Sequence, residues 1–78
     1  MQHFEALLST MSINKVRKAN IQKLYNLFET ADCFGRAEIM TETGLTASPA
    51  SNLIRKMLAA GLIATANGRG RGKYKFTV

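Results

Sequence analysis

The chain has 78 residues, a net charge of +6 at pH 7 and a pI near 10.0, and 46% of its residues are hydrophobic. That apolar fraction excludes a disordered tail, and the length allows one small domain with a thin core. The charge favours a polyanionic partner, nucleic acid ahead of an anionic membrane surface.

Residues 2–11 predict a short amphipathic helix, because Phe4, Leu7, Leu8 and Met11 recur at i, i+3, i+4 and i+7. Three roles are open to this stripe: a cover for the core, a homodimer contact, or a junction with an upstream domain of a parent protein. A division follows, with 1–13 as an N-terminal helix and 14–78 as the main domain. Residues 15–31 predict a longer helix, with Ser12 or Asn14 as its N-cap. Its stripe is Ile21, Leu24, Tyr25 and Phe28, widened by Leu27, and Lys15, Arg17, Lys18 and Lys23 lie mostly off it. Cys33 beyond it is expected to be a half-buried small apolar residue.

Residues 36–43 predict a short helix entered through Gly35, which is expected to permit a turn. Glu38 falls in its first turn, where the helix dipole favours an anion, and Gly44 stands where a left-handed cap would end it. Leu45 is expected to plug the core before the next helix. Residues 48–60 predict the best-specified helix, with Ser48 as N-cap, Pro49 in the first turn and Gly61 after the last. Ala50, Leu53, Ile54, Met57 and Leu58 make its buried stripe, and Ser51, Asn52, Arg55, Lys56 and Ala59 make the opposite face. Residues 62–66 and 73–78 predict two strands, the second alternating Tyr74, Phe76 and Val78 with Lys75 and Thr77. Glycines 68, 70 and 72 loosen the loop between them. The expected fold class is mainly α with a small β-hairpin, and the two helices joined through Thr43-Gly44-Leu45-Thr46 form a helix-turn-helix.

The charge is unevenly spread along these elements. Thr43 to Val78 holds six basic residues and no Asp or Glu, whereas the first 42 residues hold five basic and five acidic ones and sum to zero. When the second helix of such a motif enters a major groove, its N-terminal residues meet base edges. Here those are Ser48, Ser51, Asn52 and Arg55, with Thr46 before them and Lys56 after them. Asn pairs two-fold with adenine and Arg with guanine, while Ser is less selective and also reaches phosphate. A solvated face normally mixes charge signs, and the predicted 48–60 helix has no acid at all. Arg69 and Arg71, spaced by glycines, are free to follow a phosphate backbone or dip into a minor groove, with Lys73 beside them. Arg36 opens the helix that crosses the backbone in this geometry, where it is placed either to hold a phosphate or to stand as an ordinary surface Arg.

Other chemistries fail on the residues. The Walker pattern counted back from Gly72-Lys73 requires a glycine at Asn67, Tyr74 replaces its Ser/Thr, and a strand follows in place of a helix. His3 and Cys33 alone do not make a zinc site, and the five acids show no spacing for acid–base work. No catalytic residue, metal or cofactor is therefore expected. The single cysteine excludes an internal disulfide and fits a reducing cytoplasm. No signal peptide and no run of about 20 apolar residues is present, so no membrane association by a span is expected.

Gly44-Leu45-Thr46, Ser51, and Ala60-Gly61-Leu62-Ile63, within a stretch from Phe34 to Phe76, resemble the winged helix-turn-helix family of DNA-binding domains. The resemblance implies a winged helix-turn-helix with an extra N-terminal helix, bound to double-stranded DNA in a bacterial transcription regulator. It implies that Ser48, Ser51, Asn52 and Arg55 face the major groove and that Arg69, Arg71 and Lys73 form the wing. A narrower stretch, Phe34-Gly35-Arg36 with the segment Gly68 to Phe76, is similar to C-terminal modules of Fic-type and helicase-related bacterial proteins. That similarity implies a domain of a larger protein, or a protein-interaction module that does not bind DNA. The Fic catalytic motif is absent, so no catalysis carries over.

Overall fold

Asn14 caps one of the two longest helices of the described residues. Its Oδ1 accepts the Arg17 backbone N–H at 2.8 Å, and helix α2 (Lys15–Phe28) runs from that cap. The computed structural model describes residues 3–31, 33–66 and 72–78. Before α2 lies α1 (His3–Ser9), and after it come strand β1 (Phe34–Gly35), α3 (Arg36–Thr43), α4 (Ala47–Ala60), β2 (Ile63–Thr65) and β3 (Lys73–Phe76). Among the described residues the fold is mixed: four helices and a three-stranded antiparallel sheet in the order β1-β3-β2.

Ile21 and Leu24 of α2, Phe34 of β1, Ile39 of α3, Leu53 and Met57 of α4, and Leu62 are fully buried. Burying one such side chain contributes about 1.5–3 kcal/mol, so a core of this size holds a small chain with little to spare. Aromatic rings tie the layers together. Phe34 stacks on Phe28 at 5.0 Å and on Phe76 at 5.3 Å, and Tyr25 meets Phe76 edge-on at 5.1 Å. The Tyr25 hydroxyl lies within hydrogen-bond reach of Glu29 Oε2 and the Val78 carbonyl, at 3.3 and 3.2 Å. Burial, then the Glu29 charge, then that hydrogen bond push its pKa up.

Of the roles open to the α1 stripe, the structure shows it covering the core. Phe4 and Leu8 are buried in this same core, with Leu7 and Met11 packed against it. Leu7 and Met11 keep part of their surface exposed.

Several expectations shift. The α2 helix ends at Phe28 and not at residue 31, and Leu27 is exposed. Cys33 is exposed. The α4 helix begins a residue earlier than expected, so Thr46 is its N-cap, without a side-chain cap bond, and Ser48 lies inside the first turn. Leu58 is 38% exposed rather than part of the buried stripe. The hairpin gains a third strand, β1, whose residues pair as Phe34 with Tyr74 and Gly35 with Lys73. Gly35 is in extended backbone, not a turn; a Cβ there would sit 2.9 Å from the Gly72 carbonyl oxygen. The glycine is needed for close approach of two strands.

Gly44 and Gly61 end α3 and α4 with φ of 78° and 83°, the left-handed region where a side chain is strained. Thr43 Oγ1 accepts the Leu45 N–H at 3.3 Å and donates to the Ile39 carbonyl at 2.6 Å, which fixes the turn between the two helices. Leu45 packs against the core, as its apolar character requires. The turn therefore sets the angle at which α4 leaves α3 and presents its polar face.

Candidate nucleic-acid interface

The outward face of α4 follows from its period. Burying Ala50, Leu53, Ile54 and Met57 turns Ser48, Asn52, Arg55 and Lys56 to solvent, with Ser51 half-buried at the edge. The Arg36 guanidinium donates to Ser51 Oγ at 3.1 Å and so links the first turn of α3 to the middle of α4. The Arg55 guanidinium donates to Asn52 Oδ1 at 3.2 Å, one helical turn back. Arg36, Ala47, Ser48, Ser51, Asn52 and Arg55 together line one shallow depression of about 200 Å³. The structure thus brings five of the expected site residues to one place: Arg36, Ser48, Ser51, Asn52 and Arg55.

Towards the sheet, Arg36, Ser51 and Arg55 also rim a larger groove of about 600 Å³ floored by Met40, Ile54, Leu58 and Tyr74. Lys73 is exposed at the start of β3, and its ammonium lies near enough to Glu38 to act on it. Glu38 Oε1 accepts the Gly35 N–H at 2.9 Å. That bond holds the Glu38 carboxyl below the usual value of 4.5; its own backbone N–H adds to the effect, partial burial opposes it, and Lys73 contributes a further lowering. Lys73 therefore faces a carboxylate on one side, which offsets part of its charge. Thr46 is exposed at the α4 cap. Arg69 and Arg71 lie outside the described residues.

On the other side of α4 the structure supplies a residue not among the expected site residues. Asn52 and Lys56 line a depression of about 380 Å³ together with Ser12, Ile13, Asn14 and Arg17. Arg17 belongs to the first turn of α2, which carries Lys15 and Lys18 as well and no acid. Cations there oppose the helix dipole by about 0.3–1 kcal/mol each at low ionic strength. A first turn with three basic residues and no acid is a signal the sequence already held.

Among the described residues, no Asp or Glu lines any of the depressions along α4. The result is a continuous acid-free band from Arg36 across Asn52 and Arg55 to Lys56 and Arg17. Among the described residues there is no group of three or more His, Cys, Asp or Glu placed to hold a metal ion, and no helix is long and apolar enough to cross a membrane.

The chain matches no protein-family model, no curated protein and no solved structure.

Proposed function

We propose that this chain is a winged helix-turn-helix module that binds double-stranded DNA. In this reading α4 enters the major groove, Ser48, Asn52 and Arg55 meet base edges, and Arg36 holds a backbone phosphate. The 67–73 loop, with Arg69, Arg71 and Lys73, follows the backbone or the minor groove. The module serves as a transcription regulator or as the targeting domain of a larger bacterial protein.

The observation that carries the reading is the acid-free depression that gathers Arg36, Ser48, Ser51, Asn52 and Arg55 on the outward face of α4. Phosphates repel carboxylates, so a surface for DNA is one from which acids are missing. The order helix, strand, helix, helix, strand, strand from α2 to β3 supports the winged assignment. So does the Gly44 turn between α3 and α4.

Fluorescence anisotropy with a mixed-sequence duplex over a salt series tests the function. Affinity should fall by about 0.9 log units per log unit of salt for each phosphate neutralised. Affinity unchanged from low to moderate ionic strength would overturn the reading. An NMR titration should move residues 48–56 together with Lys73.

A further inference from the structure

We propose that Arg17 and Lys56 form a second phosphate-binding flank, so that α4 sits between two basic edges that grip both backbones of one duplex. The inference rests on the DNA-binding reading and adds a contact from α2, which lies outside both the helix-turn-helix and the hairpin.

The first ground is placement. Arg17 from α2 and Lys56 from α4 line one depression with Asn52, and Asn52 and Arg36 share the next depression across the helix. Arg36 and Arg17 therefore lie on opposite sides of the reading face. A helix with its side chains is about 10–12 Å across, and a B-DNA major groove is about 12 Å wide. A helix seated in that groove has a phosphate strand on each side. Basic residues on one side alone would suit a single strand or a flat anionic surface; basic residues on both sides suit a duplex.

The second ground is the cost of the arrangement. Lys15, Arg17 and Lys18 crowd a turn without an acid, and Arg17 among them shares with Lys56 a depression that no described carboxylate lines. Local rules are broken where a site uses the break, and an anion drawn from outside relieves this one. The Asn14 side chain is already engaged by the Arg17 N–H, so it leaves the phosphate to the two cations.

The test is the salt dependence of duplex binding for the full chain and for Arg17→Gln, Lys56→Gln and, as a control outside the band, Lys23→Gln. Each loss of a phosphate contact should lower the salt slope by about 0.9, so the affinity gap from the unsubstituted chain should shrink roughly three- to fourfold between 50 and 200 mM salt. Arg17→Gln and Lys56→Gln should show this, Lys23→Gln should not, and Arg17→Lys should restore most of the slope. A single strand of the same sequence should be insensitive to Arg17→Gln while remaining sensitive to Arg36→Gln. Circular dichroism melts establish that each variant is folded. Duplex binding with an Arg17→Gln slope equal to that of the unsubstituted chain overturns the second flank and leaves the DNA-binding reading standing. No duplex binding by the unsubstituted chain overturns both.

Discussion

Phe4 lies flat against Tyr25, with ring centroids 3.8 Å apart and planes 8° from parallel. The same Phe4 ring meets Phe76 edge-on at 6.1 Å, so one residue near the chain start touches both α2 and the central strand of the sheet. This contact makes α1 part of the core.

Phe4→Ala should therefore destabilise the whole domain, by about 3–5 kcal/mol if the cavity does not collapse. Urea unfolding followed by tryptophan-independent far-UV signal gives the value, since the chain has no Trp. A loss confined to α1, with the rest of the chain unfolding at its original midpoint, would show that the helix is a separate unit.

Gly35→Ala should cost about 1–3 kcal/mol, as overpacking does. The new methyl would meet the Gly72 carbonyl oxygen at 2.9 Å and Glu38 Oε1 at 3.2 Å. The melting temperature should fall, and the amide resonances of Lys73 and Tyr74 should shift most. An unchanged melting temperature would mean that the β1–β3 ladder gives way freely.

Glu38→Gln should change how stability depends on pH. The folded Glu38 carboxyl titrates below its ordinary 4.5, so its contribution is fully present above that pH and is lost as pH falls through the folded value. The melting-temperature gap between the two proteins should be constant above about pH 5 and should close in more acid solution. A gap that persists unchanged at low pH would assign the effect to shape and not to charge.

Asn52 and Arg55 should act as a pair in DNA recognition. Each Ala substitution should cost about 1–3 kcal/mol on a duplex that the unsubstituted protein selects from a random pool. Because the Arg55 guanidinium donates to Asn52 Oδ1, the double variant should lose less than the sum of the two, by about 0.5–3 kcal/mol. Strict additivity would mean the two side chains meet their bases independently.

How far the sequence announces this molecule depends on whether a feature is carried by one segment or by two. The face of α4 lies on a single helix, so its period puts Asn52, Arg55 and Lys56 outside and Leu53, Ile54 and Met57 inside without knowledge of neighbours. Strand β1 has two residues and no period to read; it exists only because Phe34 and Gly35 pair with β3. Gly35 looks like a turn glycine until its neighbour Gly72 is known. At the start of α4, Ser48 is the stronger capping type, yet Thr46 holds the cap because the preceding turn is fixed by Gly44 and the Thr43 hydroxyl. Arg17 shares a surface with Lys56 only after α2 and α4 have packed. Tertiary placement, not local preference, recruits it.

The sheet order places β3 between β1 and β2, laddered on both sides. A two-stranded arm would swing about its base; this one is braced like a strut with two stays. Lys73 stands opposite Gly35, the residue directly before Arg36. The ladder thus ends at the root of the Arg36 side chain, whose guanidinium donates to Ser51 of α4. Through Arg36, the β1–β3 ladder and the α4 face share one side-chain link.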